Sequence, residues 1–516
     1  MTLRSVFRRL LLTVGAALLL SVTATAGAVP QTVRIQVDAQ AAGTPFPHFW
    51  ETTFGSGRAS LALRDDYRKD LDAVRKATGF SYVRFHGIFD DDVGLVNREP
   101  DGSIRYNFSY IDQIYDGLLE HGVKPFVELS FMPPALSSDP KALQEFWYRP
   151  NIAPPKDYAE WDAMISAFAR HLIERYGIDE VASWYFEVWN EPNIGFWAGK
   201  PQQPTYFTLY DHTVRALKAV NPRIRVGGPS TAQGAWATEF LAHTKKNNVP
   251  VDFVSSHVYG DDTAEHVFHT DENIPRRDMV CRTVDKVHKE ILASPYPHLP
   301  LVFSEYNASY ANLPNVTDTI FMGPWMANTI RECAGKIQMM SYWSFSDVFE
   351  EQGIVRSPFY GGFGLIAAGR IQKPAFNAFA MLHKLGDHQL KTKSDSALVT
   401  RRDDGTVVLA LWNYAPPVGK TASYTAGEPV GSAKHFSVEV KHLSADAKAT
   451  VWRLDETHGN AVALFNKMGR PDFPSREQIA QLRAAGQLAA PEQVDVAKGK
   501  FEIDIPPQGL VVIELR

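Results

Sequence analysis

Apolar and polar positions follow two regimes along the chain. From about residue 48 to 385, short apolar runs are separated by longer stretches in which apolar residues recur every three or four positions. The runs fall at 48–54, 82–89, 125–131, 184–190, 224–227, 253–259, 301–306 and 341–345. Short apolar runs of this kind are the pattern of strands buried on both faces. Between them, 111–121 places Ile111, Ile114, Leu118 and Leu119 at helical spacing. The stretch 161–176 does the same with Trp161, Met164, Ile165, Phe168, Leu172 and Ile173, and 206–220 and 319–333 look similar. Eight strand–helix units in succession predict an α/β fold, a (β/α)8 TIM barrel; six would be too few to close one.

After about residue 386 the period shortens. The segments 397–402 and 407–412 flank Asp403-Asp404-Gly405 and read as a β-hairpin with a glycine-containing turn. Further strands are predicted at 436–442, 449–453, 501–505 and 510–515. Together they read as a C-terminal β-sandwich accessory domain, interrupted by a helix over 475–486 that opens on Ser475. The strand 33–37 precedes the barrel and is expected to join the sandwich. The resulting division is 1–28 signal peptide, 29–44 N-terminal strand, 45–385 barrel, and 386–516 β-sandwich with a helical insert. The boundary near 385 reads as a packing seam rather than a flexible linker.

The first segment pairs Arg4, Arg8 and Arg9 with an apolar run over 10–22 and then small residues, with cleavage expected after Ala26 or Ala28. That run is shorter than the roughly 20 residues of a membrane span, so it predicts an exported protein, periplasmic or secreted. No later stretch is long and apolar enough to cross a bilayer. The composition, 45% hydrophobic and 22% charged, excludes a disordered or fibrous chain. Lys+Arg 53 against Asp+Glu 58, without a basic block, argues against nucleic acid or an anionic membrane as partner. Two cysteines, Cys281 and Cys333, are too few for a disulfide scaffold, and the expectation is two buried thiols on helices rather than a bridge.

In such a barrel, chemistry sits at the C-terminal ends of the strands. Glu191 closes the fourth strand and Glu305 lies toward the end of the seventh, across the mouth from it. Two carboxyl groups across a cleft are the minimum equipment for glycoside hydrolysis. A buried glutamate without such a task is costly unless paired, here with Arg84 or a histidine. Trp189, Phe196, Trp197, Tyr259, Tyr310, Trp343 and Phe363 also fall near strand ends, where rings pack against sugar C–H faces. For most of these rings the core is the expected place. Tyr259 and Trp343, beside the candidate carboxyls, are the exceptions.

These residues belong to longer motifs. Phe85-His86-Gly87-Ile88-Phe89-Asp90-Asp91-Asp92, Trp189-Asn190-Glu191-Pro192-Asn193, Ser304-Glu305-Tyr306-Asn307-Ala308-Ser309-Tyr310 and Ser341-Tyr342-Trp343-Ser344-Phe345-Ser346-Asp347-Val348-Phe349-Glu350-Glu351 resemble glycoside hydrolase family 39, and its bacterial β-xylosidases most closely. The resemblance runs from about residue 80 to the C-terminus. It implies Glu191 as general acid/base and Glu305 as nucleophile of a retaining, exo-acting enzyme that releases β-D-xylose, with a side activity on α-L-arabinosides. It implies Asn190 against the sugar 2-hydroxyl, His257 and Tyr259 near the nucleophile, and His86 in the substrate pocket. Tyr310, Trp343, Glu350 and Glu351 are implied to line the glycone pocket. Relatives are often oligomers, which leaves a homo-oligomer open.

The same family holds α-L-iduronidases and enzymes acting on exopolysaccharide. An iduronidase needs positive groups for a uronate, whereas Glu350-Glu351 would repel one. The loop Gly260-Asp261-Asp262-Thr263-Ala264-Glu265 departs from the xylosidase pattern and bears on the aglycone side. A non-catalytic carbohydrate-binding barrel would be favoured if either glutamate were missing, and both are present. Glu265, His266 and His269 do not make a zinc-protease helix, Asp90-Asp91-Asp92 lacks the spacing of a calcium loop, and no glycine-rich phosphate loop is evident. No metal and no cofactor are expected.

Overall fold

The computed structural model describes residues 31–419, 423–427, 429–444 and 446–516; the predicted export signal at 1–28 lies outside them. Eight parallel strands close into a barrel. They are β1 (Thr53–Gly55), β2 (Tyr82–Phe85), β3 (Lys124–Leu129), β4 (Tyr185–Val188), β5 (Arg225–Thr231), β6 (Phe253–Tyr259), β7 (Leu301–Asn307) and β8 (Met339–Tyr342). Each is followed by a crossover helix: α1 (Asp65–Thr78), α2 (Ser109–Glu120), α3 (Tyr158–Tyr176), α4 (Gln202–Val220), α5 (Ala237–Asn247), α6 (Arg276–Leu292), α7 (Met322–Cys333) and α8 (Pro374–Leu382). The expected α/β barrel is the observed one.

Several boundaries differ from those expected, the first strand and the seventh crossover helix among them. The apolar run 48–54 is buried, with Phe49 and Trp50 in the core, but most of it is turned rather than extended, so β1 begins only at Thr53. The helix expected over 319–333 begins at Met322, after a separate turn of helix at Pro314–Thr317. Helix ends carry the expected local chemistry. Asp157 caps α3 by accepting from the Ala159 amide at 2.8 Å. Asp65 and Asp66 open α1, Arg75 and Lys76 close it, and Gly79 ends it at φ 68°.

The expectation of two free thiols is corrected. Cys281 on α6 and Cys333 on α7 form a disulfide, with their Cα atoms 5.1 Å apart. The crossover helices before and after β7 lie side by side, and that adjacency is set by the barrel, not by sequence spacing.

Two further sheets pack face to face. One joins Gln31–Asp38 in parallel to Lys434–Lys441, which pairs antiparallel with Lys500–Ile505. The other has seven strands, among them Ala397–Arg401, Val407–Trp412, Leu510–Leu515 and Lys448–Leu454. Ile35, Val438, Ile503, Leu409 and Ile513 fill the space between the sheets. The opposite face of the seven-stranded sheet, with Val408, Ala410, Trp412 and Val512, belongs to the barrel's core and lies against α7 and α8. Val407–Trp412 and Leu510–Leu515 are thus buried on both faces and read as continuous apolar runs, whereas Lys500–Ile505 alternates buried and exposed. The helical insert holds two helices. Arg476–Gly486 opens with a capping box between Ser475 and Gln478, and Ala461–Lys467, absent from the sequence reading, packs with it on Phe359 and Ile371.

Candidate active site

The C-terminal ends of the strands surround a cavity of about 370 Å³. At its floor sits Arg84 from β2, fully buried. Its Nε donates to Glu187 Oε2 at 2.6 Å and its Nη1 to Glu305 Oε1 at 2.7 Å. Its Nη2 reaches Glu128 Oε2 at 2.7 Å and Asn190 Oδ1 at 3.0 Å. A buried guanidinium among three carboxylates is stable only with every acceptor matched, and this geometry matches them. Glu128 and Glu187 were not singled out in the sequence. The signal was available: each is a carboxyl inside an apolar strand, which demands a buried cation.

A β-bulge on β7 and a strained turn after β4 aim the side chains. Along β6, Ser256 opposes Phe303 but His257 opposes Glu305, so Ser304 is the extra residue on β7. Strict alternation would send Ser304 and Glu305 to opposite faces. The bulge lets both hydroxyl and carboxyl face the barrel axis, where Ser304 Oγ meets His257 Nε2 at 3.1 Å and Glu305 Oε2 accepts from Tyr259 Oη at 2.6 Å. After β4, Trp189 and Glu191 take left-handed φ of 73° and 43°. These strained conformations are held by Trp189 Nε1 donating to the Phe196 carbonyl at 2.7 Å and by the Glu191 amide donating to the Ser230 carbonyl at 2.8 Å. Asn193 closes the turn by bonding both backbone groups of Ala232.

The result brings a carboxyl oxygen of Glu191 within 4.8 Å of one of Glu305, and a ring nitrogen of His257 within the same distance of both. Nδ1 of His257 lies 3.0 Å from Glu191 Oε1 and 3.7 Å from Glu305 Oε1. Burial, and then the Glu305 charge, push the Glu191 carboxyl well above its ordinary range. Burial also lifts Glu305, but there Arg84, His86 and the Tyr259 hydroxyl oppose it. Of the pair, Glu191 therefore holds the proton. Burial, Arg84 and His86 hold His257 far below its ordinary value, hence neutral. For His86, burial is outweighed by Glu128 and Glu305, and its imidazole titrates above its usual value. A cation bridging Glu305 and its neighbours would face the Arg84 guanidinium already on Oε1, so the donor set fits proton transfer better than a metal cage.

Of the residues implied by the resemblance, His86, Asn190, Glu191, Tyr259, Glu305, Tyr310, Trp343 and Glu351 line the cavity. Tyr310 stands at the rim, 60% exposed. His257 lies behind Glu191 rather than on the wall. Burial raises Glu351 to about 8, and its Oε1 is 3.6 Å from His86 Nε2. Glu350 is a correction: it turns away from the cavity and pairs with Arg58 at 3.1 Å and Arg64 at 2.6 Å. Successive residues in the loop after β8 face opposite ways, so only one of the pair can reach the sugar side. Ile194, Gln233, Asp261, Asp262 and His266 complete the outer wall.

Residues 33–498 match the family Glycosyl hydrolases family 39. A β-xylosidase of Geobacillus stearothermophilus is 39% identical over 471 residues, covering 89% of this chain and 90% of that one. A β-xylosidase of Caldicellulosiruptor saccharolyticus is 36% identical over 482 residues, covering 91% and 95%. The crystal structure of a monomeric β-xylosidase from Caulobacter crescentus CB15 superposes with a TM-score of 0.85 at 35% identity, covering 94% of this chain and 99% of that one. The chain belongs to glycosyl hydrolase family 39.

Proposed function

We propose that this protein is an exported, retaining, exo-acting β-xylosidase that hydrolyses the O-glycosyl bond of β-D-xylosides and xylo-oligosaccharides. The observation that carries the chemistry is the Glu191–Glu305 gap of at most 4.8 Å between nearest oxygens. It suits a retaining pair, whose carboxyl groups stand about 5–5.5 Å apart, and leaves no room for the water that an inverting pair needs at about 6.5–9.5 Å. The substrate rests on the β-xylosidase relatives matched over some nine-tenths of their length.

The two steps follow from the protonation pattern. Glu305 attacks the anomeric carbon while Glu191 gives its proton to the departing oxygen. Water, losing a proton to Glu191, then attacks the anomeric carbon and frees Glu305. Arg84 and Tyr259 each occupy one oxygen of Glu305 and orient it. Because Asn190 Oδ1 accepts from Arg84, its amide N–H₂ is left to face the cavity, where a sugar 2-hydroxyl can accept from it.

A uronate substrate is disfavoured. Asp261 and Asp262 line the cavity, and among the described residues no lysine or arginine does. The Cys281–Cys333 disulfide accords with an oxidising compartment and hence with export. Turnover of an aryl β-D-xyloside, abolished in Glu305→Ala and restored by azide in Glu191→Ala, is the expected result. Turnover of an aryl α-L-iduronide alone would overturn the substrate, and no turnover of any aryl glycoside or xylo-oligosaccharide would overturn the activity.

A further inference from the structure

Behind Glu191 runs a line of four hydrogen bonds between buried groups. Glu191 Oε1 meets His257 Nδ1 at 3.0 Å, and His257 Nε2 meets Ser304 Oγ at 3.1 Å. Ser304 Oγ donates to Glu187 Oε1 at 2.5 Å, and Glu187 Oε2 accepts from Arg84 Nε at 2.6 Å. Valence fixes the directions. Glu187, ion-paired with Arg84, only accepts. A hydroxyl has one proton, and Ser304 gives it to Glu187, so Ser304 presents a lone pair to His257. Nε2 of His257 therefore carries the hydrogen. The imidazole is neutral in this buried place beside Arg84 and His86, so its Nδ1 is a bare lone pair. A carboxylate at Glu191 would meet it lone pair to lone pair. Only a protonated Glu191, donating from Oε1, makes a bond there.

We infer that Ser304 and Glu187 lock His257 in the Nε2–H tautomer and thereby keep the catalytic proton on Glu191. Ser304 is thus a positioning residue that acts through His257; the inference rests on the acid/base role proposed for Glu191. In the resting enzyme the acid proton is held against Nδ1 until a glycosidic oxygen competes for it. Once that proton has left with the departing oxygen, the Glu191 carboxylate faces a bare nitrogen and gains nothing from it. It remains basic enough to take a proton from water as the water oxygen bonds to the anomeric carbon and the Glu305–carbon bond breaks. The opposite tautomer would donate Nδ1–H to the carboxylate and blunt both steps.

Other charges facing Glu191 do not depend on the Ser304 hydroxyl. Glu305, Asp262 and Glu351 favour its protonated form and Arg84 opposes it, while Arg84 and His86 keep His257 uncharged. Removing that hydroxyl therefore isolates the tautomer. In Ser304→Ala, the basic limb of kcat/KM, which reports the acid group, moves down by about one pH unit, the effect of one hydrogen bond to a charged group. Ser304→Thr restores the limb. A folded Ser304→Ala enzyme whose basic limb stays in place overturns the inference. Neutron diffraction of the resting wild type near neutral pD tests it without any variant or substrate. Deuterium on Nε2 of His257 and on Glu191 is expected. Deuterium on Nδ1 beside an ionised Glu191 would overturn the lock even in an active enzyme, whereas failure to hydrolyse any glycoside would sink the proposed function and leave the proton positions as found.

Discussion

Tyr259→Phe separates the orientation of Glu305 from its ionisation. The substitution keeps the ring, its burial and its edge-on contact with Tyr310, whose centroid is 6.4 Å away, and removes one hydroxyl. That hydroxyl donates to Glu305 Oε2 at 2.6 Å, while Oε1 keeps Arg84 at 2.7 Å. A hydrogen bond to a charged group contributes about 1.5–3 kcal/mol, so its loss raises the Glu305 carboxyl by about 1–2 pH units. Burial already pushes that group up, and one of the contacts opposing burial is gone. The acid limb of kcat/KM on an aryl β-D-xyloside is expected to move up by this amount. Turnover well above the new limb should fall much less than turnover below it. The assay is a full pH–rate profile of wild type and variant with the fold checked by circular dichroism. A uniform loss at every pH with an unmoved acid limb would refute the reasoning, because it would mean that the hydroxyl serves the sugar and not the carboxylate.

The disulfide joins residues 52 apart in sequence, a loop whose closure is worth about 4 kcal/mol in the chain-entropy account, so Cys281→Ser with Cys333→Ser should lower the thermal midpoint by several degrees while leaving KM unchanged. An unchanged midpoint would show that packing of α6 on α7 suffices without it. Glu350→Gln and Glu351→Gln should part company. The first breaks the Arg58 and Arg64 pairs and costs stability on the order of 2 kcal/mol, with a small effect on kcat/KM. The second alters the cavity wall and should lower kcat/KM with little change in stability, as denaturant titration beside kinetics will show. His383, whose Nδ1 meets buried Glu51 at 2.7 Å at the foot of the barrel, titrates above its ordinary value chiefly through that bond. A raised folded-state value stabilises below the unfolded value, about 6.5, and the gain disappears as pH rises through the folded value. The difference in midpoint between wild type and His383→Ala should therefore be largest in acid and shrink toward alkaline pH.

What could be read from the sequence followed what local chemistry determines. Period and turn residues place the eight strands, four of the eight crossover helices and the helix that opens at Ser475, because those signals are local. The pairing of Cys281 with Cys333 was not legible, since it depends on two helices meeting across the back of β7. Glu350 was misassigned because a motif resemblance cannot say which of two adjacent acids faces inward in an irregular loop. The bulge at Ser304 is equally invisible in sequence, yet it turns a plain strand residue into the partner of His257. Glu191 and Glu305 were legible because a carboxyl at the end of a buried strand is costly without a task. Arg84 was named as a partner, but its threefold pairing with Glu128, Glu187 and Glu305 emerges only when the strands close.

The most direct measurement is to trap the intermediate. Incubation with an aryl 2-deoxy-2-fluoro-β-D-xyloside should slow the second step more than the first, and intact-mass spectrometry should show one fluoroxylosyl adduct per chain. Peptide mapping should place it on Glu305, and the product of ordinary turnover, followed by NMR, should first appear as the β-anomer. An adduct on another residue, or a product that first appears as the α-anomer, would contradict the account.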